Sequence, residues 1–175
     1  MPRCSVFLAM SLDGYIAGPN DDLSWLDRFD EEHGYTEFFA SIDTLLIGRR
    51  TYDVVCGFPS WPYSGKRVVV MTHQPVAARH DERFVSGTPA EVLAQLPDAQ
   101  RIYLDGGAVV RQFLAANLVD DLTISLIPTI LGSGIPLFER GAPGPVLELV
   151  GSQQFNKGLV QLRYRTAARA TPAAR

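Results

Sequence analysis

The sequence predicts an α/β domain: a mostly parallel sheet, covered by helices on both faces, that closes with an antiparallel C-terminal hairpin. Three observations carry this. Short apolar runs alternate with segments of helical periodicity as far as Ile127. Two of those runs break at glycine just before a helix, at Gly48 and at Gly106-Gly107. The last run, Leu159 to Arg165, instead alternates apolar and polar residues, as a half-exposed antiparallel strand should.

At 175 residues the chain is long enough for one domain with a full core, read as residues 1–166 with a small, polar, disordered tail over 167–175. Its composition (46% hydrophobic, 20% charged, net charge −3) is that of a soluble globular protein, and its scattered Lys and Arg exclude a nucleic-acid surface. Cys4 and Cys56 have no metal-ligand spacing and are expected as reduced thiols in a cytoplasmic protein. No segment approaches the roughly 20 apolar residues of a membrane span, so no membrane role is expected, and no metal.

Ser5 to Met10 is a compact apolar run and reads as a central strand. The turn formers and acids of Ser11 to Asp22 make a long loop, with Asp13-Gly14 as a tight turn; loops of this kind are often functional. Leu23 to Leu26 returns the chain to the core with Trp25. A helix is expected from about Asp30 to Ile42, with Tyr35, Phe38, Phe39 and Ile42 sharing one face and Asp30, Glu31 and Glu32 matching its dipole. Asp43 to Ile47 is a strand, and a helix follows from Gly48. The aromatics of Gly57 to Gly65 either wall a pocket or cover the sheet edge. Val68 to Met71 is the next strand, ending at Thr72-His73, and Glu82 to Ser86 is a short edge strand. Thr88-Pro89-Ala90-Glu91 forms a capping box and opens a helix to about Leu96. Arg101 to Leu104 is the most central strand, and the helix after its glycines presents Val109, Val110, Phe113 and Leu114. Leu122 to Ile127, a glycine-punctuated loop over Pro128 to Pro136, and the hairpin from Leu147 to Arg165 complete the chain.

Both glycine turns suit an anion. A helix N-terminus carries unpaired N–H groups and partial positive charge, and Gly106-Gly107 lets a ligand approach without meeting a Cβ. The alternative is that these glycines only let strand and helix pack tightly; the run is not a GxGxxG fingerprint. Arg49 and Arg50 oppose the macrodipole in their helix's first turn, which points to a phosphate partner, and Thr51 can cap the helix or bind that phosphate. In parallel sheets ligands bind at the carboxyl ends of the strands, where these turns, the first loop and His73 belong.

Four segments occur in a familiar order: Ser11-Leu12-Asp13-Gly14-Tyr15-Ile16-Ala17, Gly48-Arg49-Arg50-Thr51-Tyr52, Leu104-Asp105-Gly106-Gly107, and Pro128-Thr129-Ile130-Leu131-Gly132-Ser133-Gly134. With them the chain, from Val6 to Tyr164, resembles the dihydrofolate reductase-like superfamily and, within it, the C-terminal reductase domain of bifunctional riboflavin-biosynthesis proteins. The resemblance implies a three-layer reductase that uses NADPH on a pteridine-like or aminopyrimidine heterocycle, in the manner of 5-amino-6-(5-phosphoribosylamino)uracil reductase. It implies that Gly48, Arg49, Arg50 and Thr51 hold the cofactor phosphates, Thr72 and His73 the adenosine end, and Gly106, Gly107, Ala108 and Val109 the pyrophosphate. Ala9 and Ile16 would line the nicotinamide site; Trp25, Tyr35 and Phe38 would meet the substrate. Related reductases often form homodimers, for which the apolar C-terminal strands offer an interface.

Two departures set the substrate apart. Dihydrofolate reductases place a carboxylate on the first helix, where this chain has Tyr35, Phe38 and Phe39, with Glu37 a weak match. The riboflavin reductases place a leucine-arginine pair late on that helix, against Phe38-Phe39-Ala40-Ser41 here. Asp105, at the end of the central strand, is expected to replace the missing carboxylate as substrate anchor and proton donor; the alternative is a carboxylate that only stabilises its turn. A nucleotide-binding module with little chemistry and a simple phosphate binder are the competing functions.

Overall fold

A computed structural model describes residues 1–29, 31–139, 141 and 144–167. Asp30 and the expected tail beyond residue 167 lie outside them. An eight-stranded sheet runs in the order β5-β4-β3-β6-β1-β7-β10-β9. Its strands are β1 (Arg3–Ser11), β3 (Thr44–Gly48), β4 (Arg67–Met71), β5 (Arg83–Val85), β6 (Arg101–Asp105), β7 (Asp121–Ile127), β9 (Leu147–Gln154) and β10 (Val160–Thr166). The six strands from β5 to β7 pair in parallel, and β10 is antiparallel to both its neighbours. The parallel sheet and C-terminal hairpin are thus as the sequence predicts.

Period-two alternation sends successive side chains of the central strands into two cores. Val6, Leu46, Val69, Ile102 and Leu104 face one way, under α3 (Pro89–Ala94) and α4 (Gly107–Ala115), whose Val92, Val109, Val110 and Phe113 meet them. Phe7, Leu45, Ile47, Val68, Val70 and Tyr103 face the other way, under α1 (Tyr35–Ser41) and α2 (Arg49–Val55). The capping box at Thr88 forms as expected, with Glu91 returning the bond to the Thr88 N–H.

Two expectations change. The first helix starts at Tyr35, five residues late. Gly34, in the left-handed region at φ 91°, breaks any earlier helix, and the Glu32 carboxylate accepts from the N–H groups of Gly34 and Thr36. Glu32 is therefore a cap ahead of the helix and not part of its first turn. The loop from Ser11 to Asp22 is also more ordered than its composition suggests: β2 (Tyr15–Ala17) pairs with β8 (Ile135–Pro136) in a separate antiparallel ribbon. Asp13, after its turn, accepts from the N–H groups of Leu131 (3.1 Å) and Gly132 (2.7 Å), tying two distant loops together.

The loop preceding β5 is held from below by Glu82, which is only 5% exposed. Its carboxylate accepts from the Tyr52 hydroxyl of α2 and from the N–H groups of Arg79 (2.5 Å) and His80 (2.7 Å). Burial alone would raise its pKa; these three donors outweigh that and hold it below the ordinary glutamate value. A depressed carboxyl pKa adds stability above its unfolded value that disappears as pH falls through the folded one. Glu82→Ala should therefore lower stability by about 2 kcal/mol or more at neutral pH, because three donors lose their acceptor, and the gap to wild type should close in acid; urea midpoints across pH check both.

Candidate active site

β3 and β6 are parallel neighbours in a register that sets Ile47 opposite Asp105. The residue after each is a glycine, Gly48 at the end of β3 and Gly106 just past β6, so the two strand-to-helix turns lie side by side. Gly106 adopts φ 90°, and a Cβ there would overlap the Thr51 hydroxyl of the other turn. Only glycine lets the turns close on each other. A Cβ at Gly107 would meet the Ile16 side chain (3.1 Å) and the Pro136 carbonyl (3.3 Å), so this glycine also seats the β2–β8 ribbon.

Around this junction lies a cavity of about 960 Å³ at the carboxyl ends of β1, β3, β4 and β6. It is lined by Ala9, Ile16, Gly48, Arg49, Arg50, Thr51, Thr72, His73, Asp105 and the stretch Gly106 to Val109, and also by Tyr35. Among the sequence-predicted site residues, Trp25 and Phe38 stand apart from its lining. Phe38 is buried a layer beneath, 5.0 Å from the rings of both Phe7 and Tyr103. Trp25 sits in the single turn Ser24–Leu26, where the flanking Leu23 and Leu26 face the cavity instead. The Trp25 indole N–H is buried without an acceptor among the described residues. Glu37 is exposed and faces away, so α1 brings no carboxylate to the cavity.

The cavity has two chemically distinct ends. One holds the two helix N-termini and three guanidinium groups. Arg49 Nε donates to Asp53 at 3.0 Å and Arg49 Nη1 to the Gln74 carbonyl at 2.9 Å. Arg50 Nε donates to Asp21 at 2.6 Å, and Arg111 pairs with Glu139 at 3.1 Å. These are partly exposed ion pairs, each worth about 0–1 kcal/mol, which a phosphate can displace.

The other end is aromatic. Phe7 meets Tyr35 edge-on at 5.5 Å, Tyr35 lies 6.4 Å from Tyr103, and Phe58 and Tyr63 come in from the loop after α2. Of the aromatics in that loop, Trp61 turns instead to stack on His80 at 4.2 Å. Composition had no means of separating them, and likewise nothing in the sequence distinguished Phe7 as a wall residue from its buried strand neighbours.

Asp105 sits where the two ends meet. Its Oδ1 accepts from the Gly106 N–H at 2.7 Å and its Oδ2 from the Tyr63 hydroxyl at 3.3 Å. Burial pushes its carboxyl above the ordinary aspartate value, and those two bonds offset only part of that. Tyr35 is in turn pushed up to about 12, by burial and then by the Asp105 charge, and Tyr63 and Tyr103 are raised by the same two causes. The result is a carboxyl with a tendency to hold its proton, ringed by hydroxyls that stay protonated. Among the described residues no group of His, Cys, Asp and Glu is arranged to hold a metal, and no helix is long and apolar enough to cross a membrane.

Comparison with known proteins agrees with this architecture. Residues 2–161 match the model of the RibD C-terminal domain. The uncharacterised Bacillus subtilis (strain 168) protein YwjB is 36% identical over 91% of this chain and 95% of its own. The crystal structure of a putative riboflavin biosynthesis protein from Shewanella sp. PV-4 superposes with a TM-score of 0.87 at 30% identity, covering 95% of this chain and 99% of that one. Enterococcus faecalis dihydrofolate reductase, complexed with NADP(H), shares the fold with a TM-score of 0.68 at 16% identity, over 95% of this chain and 97% of that one. The chain belongs to the RibD C-terminal domain family. Its fold is that of the dihydrofolate reductase-like proteins.

A carboxyl whose folded pKa is raised binds its proton more tightly folded than unfolded, so stability falls as pH climbs from the ordinary aspartate value through the raised one. Asp105→Asn removes that term. The melting temperature of Asp105→Asn relative to wild type should rise across this range and then level off, leaving the variant at least as stable at neutral pH. A variant that melts lower than wild type at every pH would show instead that the charge stabilises the turn.

Proposed function

We propose that the protein is an NADPH-dependent reductase of a small pteridine-like or aminopyrimidine heterocycle. One observation carries this: two glycine turns share a cavity whose far end is an aromatic box containing a buried carboxyl. The family membership supports it, as do the putative riboflavin-biosynthesis role of the Shewanella structure and the NADP(H) of the dihydrofolate reductase complex.

The residues fit such a cofactor: the N-terminal turn of α4 lines the cavity, and its N–H groups suit a pyrophosphate. Gly48, Arg49, Arg50 and Thr51 would hold phosphate, Thr72 and His73 the adenosine end, and Ala9 and Ile16 the nicotinamide. The cofactor, when bound, supplies a hydride. The chain orients the acceptor ring between Tyr35, Tyr63 and Phe7 and excludes water from it. Asp105, whose hold on a proton burial strengthens, faces the ring's polar edge and can pass a proton to the reduced nitrogen.

A nucleotide-binding module with little chemistry is the second reading, favoured by the absence of a cavity-facing carboxylate on α1. NADPH oxidation over a panel of heterocycles separates the two. We also propose a cytoplasmic protein, since Cys4 and Cys56 are thiols. A homodimer through the C-terminal hairpin is a further proposal, supported by the exposed Val146, Leu149 and Val150.

Arg49 and Arg50 offer more guanidinium than a pyrophosphate needs, and one of them is assigned to the 2′-phosphate. A charge-assisted hydrogen bond is worth about 1.5–3 kcal/mol. Arg49→Ala with Arg50→Ala should therefore weaken NADPH about ten- to a hundredfold more than NADH in fluorescence titrations; equal losses would contradict the assignment.

A further inference from the structure

We infer that the substrate of this site carries no phosphate group and is a neutral or cationic flat heterocycle that turns an N–H edge toward Asp105. This rests on the reductase reading above. It departs from the phosphoribosyl substrate that the riboflavin-type resemblance implies.

The charge along the cavity is divided. Its three guanidinium groups, Arg49, Arg50 and Arg111, all stand at the end formed by the helix N-termini and the β2–β8 ribbon. The aromatic end is lined instead by Asp105 and by the segment Glu31-Glu32-His33, which reaches that end through the His33 ring, 6.1 Å from Phe7. Among the described residues lining that end there is no Lys or Arg.

Neither glutamate is neutralised by a cation in its hydrogen bonds. Glu32 accepts from Gly34 N–H (2.7 Å), Thr36 N–H (3.2 Å) and the Thr36 hydroxyl (2.7 Å). Glu31 accepts from the Asn156 amide at 3.1 Å. Lys157, which shares an adjoining small hollow with Glu31, donates to the Arg28 carbonyl at 2.7 Å. A phosphate entering over the aromatic box would thus meet like charge first.

Asp105 sets the other half of the specificity. With Oδ1 held by Gly106 and Oδ2 in a long contact with Tyr63, its remaining lone pairs accept from a ligand's N–H groups. The rings of Phe7, Tyr35 and Tyr63 beside it favour a flat π-system. A ring that gains positive charge would be held more tightly, since the box offers carboxylates and ring faces together.

The test is calorimetric binding to the full chain saturated with NADP⁺, so that no turnover occurs. The probes are 5-amino-6-(ribitylamino)uracil and its 5′-phosphate. The phosphate-free compound should bind at least tenfold more tightly. Glu31→Gln, and Glu31→Gln combined with Glu32→Gln, should shrink that ratio stepwise while both variants keep a wild-type melting profile; if the double variant loses α1, the single one still carries the comparison. Equal affinity, or a preference for the phosphate ester that Lys157→Ala abolishes, would overturn the inference and place the phosphate at the adjoining hollow. Both probes are already at the reduced, ribityl level, so failure of the reductase reading is seen separately, as a retained binding preference with no NADPH oxidation over the panel of unreduced heterocycles.

Discussion

The structure depends on the closure of two turns against each other. β3 and β6 are parallel and in register, so Gly48 and Gly106 arrive at the same level of the sheet. Gly106, at φ 90° and against the Thr51 hydroxyl, lets the chain pass from strand to helix without a side chain between them. Everything at the site follows from this contact. It brings the N-terminal turns of α2 and α4 to one cavity, and it leaves Asp105, the last residue of β6, at the boundary between the polar and aromatic ends.

That boundary position gives Asp105 its chemistry. A carboxylate two residues before a helix is ordinarily welcome, because the helix N-terminus carries partial positive charge. Here burial outweighs the bond from the Gly106 N–H, and the carboxyl is raised. The three tyrosines of the box are raised with it, so the aromatic end remains neutral except for its carboxyls. The arginines at the opposite end are held by the exposed Asp53 and Glu139 and the half-buried Asp21, in pairs that do not lock them. One end thus presents helix N-termini and loosely held arginines, and the other an aromatic box with a carboxyl at its edge.

Much of this was legible in the sequence, because it depends on local signals. Strand parity in Leu45-Leu46-Ile47 and Val68-Val69-Val70, the Thr88 capping box and the strand–glycine–helix turns all act over a few residues. The misses depend on distant contacts. Nothing near Tyr15 marks it as a strand residue; its partner is Pro136. Trp25 and Phe38 are large aromatics on the right segments, but cavity lining is decided by which side of a turn or helix faces the sheet. Tyr63 became a site residue only because its loop folds back over β6 far enough for its hydroxyl to reach Asp105.

On the proposed function a nicotinamide cofactor spans the two glycine turns and presents its ring to the box at Asp105. A crystal structure with NADPH bound is the decisive measurement. The pyrophosphate should lie on the N–H groups of the Gly106 to Val109 stretch, a phosphate on Arg49 or Arg50 in place of a carboxylate, and the nicotinamide beside Ala9 and Ile16 with Asp105 and Tyr63 across from it. A dinucleotide bound with its pyrophosphate away from both turns, or with its nicotinamide turned out of the aromatic box, would contradict it.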